Sequence, residues 1–174
     1  MKSNIILTGM PGAGKSTIGA ILSKTMNKPF IDTDLLIQKK DGRKLQDIIN
    51  NDGRAAFTEI EEKVIAEINE VNHIIATGGS VVYSQKAMGH LKSIGVVVYL
   101  DVRLFHIRHR LKNIKTRGVL LKQGQTLHSL YKERHPLYKK YADIIIDCSF
   151  KHVDTITNEV REKAQALLAG NVHH

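Results

Sequence analysis

The nine residues Gly9-Met10-Pro11-Gly12-Ala13-Gly14-Lys15-Ser16-Thr17 constrain this chain more than any other stretch. They fit the pattern G-x-x-x-x-G-K-[ST], and their flanks fit it too. The apolar run Asn4–Thr8 (NIILT) before them predicts a buried strand. Lys15–Met26 after them predicts a helix, with Ile18, Ile21 and Leu22 on one face. Strand, glycine-rich turn and helix in that order form a phosphate cradle. The glycines let the backbone wrap an anion with N–H groups pointing inward, and the helix adds the positive end of its dipole. The loop amides and side chains of Gly12, Ala13, Gly14, Lys15, Ser16 and Thr17 are therefore the candidate nucleotide-binding residues. Lys15 would place a cation on the terminal phosphates of ATP, and the Ser16 hydroxyl would join an oxygen shell around Mg²⁺.

The remaining chain alternates in the same way. Pro29–Ile31 predicts a short strand ending at Asp32, followed by helical stretches at 35–40 and 45–50. Gly53–Asn69 predicts a stronger helix, with Phe57, Ile60, Val64, Ile65 and Ile68 at three- and four-residue spacing. His73–Thr77 predicts a strand stopped by Gly78-Gly79, and Gln85–Lys92 a helix. Gly95–Leu100 (GVVVYL) is apolar throughout, as a parallel strand covered on both faces must be. A helix over Arg103–Leu111 leads into residues 112–125, which lack periodicity and carry glycines and cations, and so are expected to form a mobile lid loop. A helix over Gln125–Tyr141 follows, which Pro136 should kink or divide. A strand at Asp143–Asp147 and a helix at Val153–Leu168 complete the chain. Five strands separated by helices imply parallel β-α-β units. The expected fold is one α/β domain over residues 1–174, a three-layer α/β/α P-loop NTPase with a parallel five-stranded sheet.

Charge narrows the function. The net charge of +9 is confined to one stretch. Residues 103–140 hold 11 Lys and Arg against a single acid, Glu133, while the rest of the chain has 15 against 16. A basic cluster beside a phosphate cradle suits polyphosphate. Nucleic acid is the competing partner, but aromatics are 5% and no nucleic-acid motif is present, so none is expected. The single cysteine, Cys148, forbids an intrachain disulfide and fits a reducing cytosol. No segment approaches the roughly 18 apolar residues that span a bilayer. A cytoplasmic protein without membrane contact, a monomer, is expected.

Asp32-Thr33-Asp34 falls where the second strand ends, beside the cradle, and ligands gather at the carboxyl ends of parallel strands. Asp32 could hold Mg²⁺ through water, and Asp34 could orient an acceptor hydroxyl and take its proton. On local sequence alone Asp34 could equally cap the next helix.

Several elements in order now carry a resemblance. They are GMPGAGKST at 9–17, DTD at 32–34, GRAAFTEIE at 53–61, ATGGS at 76–80, the Arg110 and Arg117 pair, and LYKERHPLYKKYAD at 130–143. Across nearly its whole length the chain resembles the shikimate kinase family. The resemblance implies an NMP-kinase-like fold and transfer of the ATP γ-phosphoryl group to the 3-hydroxyl of shikimate, a step toward the aromatic amino acids. It implies Lys15, Asp34 and Arg117 as catalytic residues, Ser16 and Asp32 for Mg²⁺, Arg110 along the adenine, and Arg117 as a lid closing over the phosphates. It implies Gly78 and Gly79 as backbone close to the acceptor ring, Arg134 as partner of the acceptor carboxylate, and residues 33–61 as the acceptor-binding helical region.

Three departures fall in or beside the acceptor site. Where the family carries an arginine just after its phenylalanine, this chain has Thr58, which cannot fork onto a carboxylate. Arg54, four residues earlier on the same helix face, is a candidate replacement. The family's third glycine is Ser80, and the lid's usual Arg-Pro-Leu-Leu is Arg117-Gly118-Val119-Leu120, which a glycine loosens. These departures keep a second reading open, a kinase of the same fold for another polyol or hydroxy acid. A nucleotide-binding regulatory module without transfer is a third. Glu61 either orients Arg54 or is a solvated helix residue. The nine histidines lack zinc-ligand spacing, and Cys148 reads as a small structural residue.

Overall fold

The computed structural model describes residues 2–111 and 121–170. Five parallel strands form one sheet: β1 (Asn4–Thr8), β2 (Phe30–Asp32), β3 (Ile74–Ala76), β4 (Gly95–Asp101) and β5 (Ile144–Asp147), in the order β2-β3-β1-β4-β5. β1 is central because it is apolar on both faces. It pairs with β3 through Ile5↔Ile74 and with β4 through Ile5↔Val96, and all five of its residues are buried. β4 is buried from Gly95 to Leu100, as its unbroken apolar run requires. Its neighbour β5 is an edge strand and alternates instead, with Ile145 exposed between buried Ile144 and Ile146.

Seven α-helices surround the sheet among the described residues: α1 (Lys15–Met26), α2 (Thr33–Asp41), α3 (Leu45–Ala66), α4 (Gln85–Ile94), α5 (Leu104–Arg110), α6 (Leu127–Tyr141) and α7 (Val153–Gly170). α1 approaches β2 closely at Gly19, where a Cβ would lie 2.4 Å from the Phe30 ring. Gly19→Val is therefore expected to destabilise the protein by about 1–3 kcal/mol through overpacking, outweighing the few tenths that leaving glycine contributes to a helix. A lowered midpoint in urea unfolding would show it.

Two expectations change. The helical stretches expected at 45–50 and 53–69 are the two limbs of α3, which meet at a kink where Gly53 is non-helical (φ 85°, ψ 173°), but the second limb ends at Ala66 rather than Asn69. The bend lets Ile48 on one limb and Phe57 and Val64 on the other reach Ile37 of α2, a small satellite core beside the main one. Pro136 does not divide α6. Leu130, Arg134 and Tyr138 recur every four residues on its buried face, while Pro136 is exposed, where water can take the Lys132 carbonyl it leaves unpaired. No helix among the described residues is long and apolar enough to cross a membrane.

Candidate active site

The cradle is built at the carboxyl end of β1. Gly9 has φ 150°, and a Cβ there would stand 2.9 Å from the Leu100 carbonyl oxygen of β4, so the turn must be glycine. Ala13 N–H donates to Met10 O at 3.0 Å and closes the loop, and Gly14, left-handed at φ 95°, starts α1. Lys15 is buried, and its Nζ donates to Gly9 O (2.7 Å) and Met10 O (2.9 Å). Burial pushes its ammonium down to about 8; Asp34 and Asp32 counter that push, and Arg134 adds to it.

The end of β2 and the first turn of α2 deliver the acids. Asp32 Oδ2 accepts from Ser16 Oγ at 2.6 Å, and its Oδ1 accepts from the backbone N–H of Asp34 (3.0 Å) and of Leu35 (3.3 Å). Asp32, not Asp34, thus caps α2, and the Asp34 carboxyl is left to the cavity. The Ser16–Asp32 pair offers two hard oxygens beside the cradle. No group of three His, Cys, Asp or Glu side chains among the described residues could hold a metal by itself. That fits Mg²⁺, which takes one or two protein oxygens and completes its shell with phosphate and water.

The cavity, about 350 Å³, has the cradle on one wall and Asp34, Gly78, Gly79, Ser80 and Arg134 on the other, with Leu45 and Phe57 of α3 closing the end. Its volume suits a small ligand. The second wall is held from behind. Gly78 N–H donates to Thr33 Oγ1 (3.2 Å), and Tyr138 Oη donates to Gly79 O (2.6 Å). A Cβ on Gly79 would stand 2.9 Å from Arg134 Nη1 and 3.0 Å from Pro11 Cδ. Arg134 is fully buried, and its guanidinium lies over the Tyr83 ring, with Nε donating to Tyr83 Oη at 3.2 Å. Tyr83 Oη in turn donates to Glu133 Oε1 at 2.5 Å. Arg134 Nη2 has no hydrogen-bond partner. Arg134 lines the cavity, and a guanidinium there with an unspent N–H is suited to receive an anion. Partial burial and the neighbouring Asp32 push the Asp34 carboxyl up to about 6, against the pull of Lys15.

The chain as a whole is similar to known proteins. The family model for shikimate kinase matches residues 11–165. The chain belongs to the shikimate kinase family. The shikimate kinase of Sulfurihydrogenibium sp. (strain YO3AOP1) is 37% identical over 161 residues, 92% of this chain and 96% of that one. The structure of shikimate kinase from Acinetobacter baumannii in complex with shikimate superimposes with a TM-score of 0.85 at 29% identity, covering 98% of this chain and 95% of that one. The shikimate kinase structure from Aquifex aeolicus gives 0.81 at 31%, covering 98% of each. The five-stranded parallel sheet with its flanking helices is the fold of these shikimate kinase structures.

Of the residues the sequence singled out in this shikimate kinase family member, the cavity gathers Gly12, Gly14, Lys15, Ser16, Thr17, Asp34, Gly78, Gly79, Ser80 and Arg134. Arg110 stands over the outer side of the cradle, its Nη1 donating to Gly12 O (3.1 Å), and lines a second cavity of about 400 Å³ with Ala13, Ile18, Lys151 and Val153. Arg54 and Thr58 do not line the acceptor cavity. The Thr58 hydroxyl donates to Arg54 O within α3 (2.9 Å). Arg117 and Gly118, and with them most of the expected lid, lie outside the described residues. Glu61 neither orients Arg54 nor meets solvent. It is 2% exposed, and its Oε2 accepts from Ser80 Oγ at 2.9 Å. Cys148 is buried, and burial pushes its thiol up to about 12, which makes it inert. Sequence reasoning missed Tyr83, Tyr138, Leu45 and Phe57. Tyr138 had a signal, one helical turn beyond Arg134. Leu45 and Phe57 carry none, since a cavity-lining apolar residue looks like any core residue.

Proposed function

We propose that this protein phosphorylates the 3-hydroxyl of shikimate from ATP by direct transfer, without a covalent enzyme intermediate. One observation carries the reading: Asp34 and Arg134 line the same cavity as Lys15 and the phosphate cradle. A ligand spanning that cavity presents a hydroxyl to Asp34 and a carboxylate to Arg134. Asp34 accepts the hydroxyl proton as the oxygen attacks the γ-phosphorus, and ADP leaves with the broken P–O bond. Lys15 and the loop amides neutralise charge on the transferring group, and Arg117 closes over it. Mg²⁺, held by Ser16 and through water by Asp32, would neutralise the phosphate charge when bound. Arg110 lies along the base, and Gly78, Gly79 and Ser80 present backbone to the acceptor ring. The departure at Thr58 leaves Arg134 as the carboxylate's grip, because neither Arg54 nor Thr58 reaches the cavity wall.

A coupled ADP-release assay across shikimate, quinate and simple polyols tests this. Shikimate is expected to give the highest kcat/KM, and polyols lacking a carboxylate to lose about 10–100-fold, the worth of a charge-assisted hydrogen bond. Turnover of another acceptor but not of shikimate would sink the reading, and no turnover with any acceptor would point to a regulatory module.

A further inference from the structure

Glu61 has no part in the chemistry above, yet it is the one fully buried acidic side chain among the described residues. Only one of its oxygens is bonded. Oε2 accepts from Ser80 Oγ, while Oε1 is buried without a partner. Leaving an ionised oxygen bare in the interior is costly, whereas a protonated one is tolerated. Of the groups around it, the Ser80 hydroxyl and the Arg134 guanidinium offset a charge, and burial outweighs them. On α3 itself, Thr58 spends its hydroxyl on the Arg54 carbonyl, and no hydrogen bond or ion pair joins Arg54 to Glu61. α2 presents Asp34, the turn after β3 presents Ser80, and α6 presents Arg134 and the Tyr138 hydroxyl. From α4, Lys86 pairs with Glu62 instead. Lys15 and Asp32 act on Asp34 from the cradle side.

The geometry at Gly78 brings the two acids together. A Cβ there would lie 2.7 Å from Glu61 Oε1 and 2.8 Å from Asp34 Oδ1. Both oxygens crowd one space, which only the missing side chain of Gly78 leaves open. Two carboxyl groups so placed resist carrying two charges at once. We propose that Glu61 is a positioning residue of the acceptor site, a buried acid that stays neutral beside Asp34 and so spares the acceptor wall a second negative charge while Asp34 meets the acceptor hydroxyl. The inference rests on the role of Asp34 proposed above.

Burial acts in the same direction. It pushes Glu61 up to about 7; the Ser80 hydrogen bond opposes this, the charge of Asp34 adds to it and Arg134 opposes it. Above neutrality Glu61 ionises too, and the second charge repels an acceptor that is itself an anion.

The test is the pH dependence of KM for shikimate at saturating ATP and Mg²⁺, where bound phosphate keeps Lys15 charged. In the wild type, KM is expected to rise about tenfold between about pH 6 and about pH 8, as a single group ionises near neutrality. Glu61→Gln, a permanent mimic of the neutral acid, is expected to abolish that rise. Ser80→Ala removes a bond that favours the charged form, so the rise should move up by about 0.5–1 pH unit. A Glu61→Gln enzyme whose KM still climbs with pH, or differs by one constant factor at every pH, overturns the proposal. Should that variant fail to fold, an unmoved profile in Ser80→Ala overturns it equally. Full activity in Asp34→Asn would overturn the site reading and this inference together. Loss of activity there with an unmoved Glu61→Gln profile overturns this inference alone.

Discussion

Replacing Asp34 with asparagine is expected to lower kcat by about 10²–10⁴-fold, the usual worth of a general base, while ATP binds unchanged. Asparagine keeps the size and hydrogen-bonding reach of the side chain but cannot take a proton. The backbone of α2 should not shift, because the cap that starts it is Asp32, whose Oδ1 receives both the Asp34 and Leu35 N–H groups. A single-turnover measurement with pre-bound ATP separates chemistry from product release. A burst of normal rate in Asp34→Asn would show that another group takes the proton. The wild-type acid limb should lie near 6, the value to which partial burial and Asp32 raise Asp34. Activity therefore rises with pH through that value, because the base acts only when ionised.

Arg134→Lys is expected to raise KM for shikimate by about 10–100-fold, equivalent to one charge-assisted hydrogen bond, with KM for ATP little altered. Lysine keeps the charge but loses the planar fork. In the wild type that fork divides its work. Nε is tied to Tyr83 Oη, Nη1 rests against Gly79, and Nη2 is free. A lysine ammonium can satisfy Tyr83 or an acceptor carboxylate, not both in the same geometry. Tyr83→Phe supplies the companion measurement. It removes the bond to Nε but keeps the ring under the guanidinium, and should raise KM by a smaller factor. Equal KM in wild type and Arg134→Lys would mean that the acceptor carboxylate is gripped elsewhere.

The two departures beside the acceptor site acquire a joint meaning in three dimensions. Thr58 and Glu61 are three residues apart on α3 and share a face. With threonine at 58, no cation on that face answers the Glu61 carboxyl, and the hydroxyl that does so comes from Ser80, 19 residues along the chain. A serine in place of glycine is therefore not merely a bulkier wall of the cavity. Among the described residues it is the only side chain or backbone group that donates a hydrogen bond to the buried Glu61 carboxyl.

Much of this was readable from the order of residues alone. The cradle was, because a strand, its glycines and a following helix are local in sequence, and their geometry follows from φ, ψ and helix dipoles. The parallel sheet was, because an apolar run such as GVVVYL has no solvent face to offer. Asp32 and Asp34 were located, but their roles were not separable, since capping depends on which carboxyl reaches the N–H groups of α2. The break within α3 at Gly53 was legible as two separate helical stretches, but how its limbs pack, and the unbroken passage of α6 through Pro136, were decided in three dimensions. Ile48 and Phe57 had to reach the same partner, and Leu130, Arg134 and Tyr138 anchored one helical face strongly enough to carry a proline on the other. The sequence by itself determined that this chain cradles a nucleotide's phosphates in a parallel α/β domain, because those features rest on contiguous residues. Only the tertiary structure decided which charges meet in the acceptor cavity. Glu61, Ser80 and Asp34 come from three different elements, and a carboxyl group's state is set by the burial and neighbours that folding imposes on it.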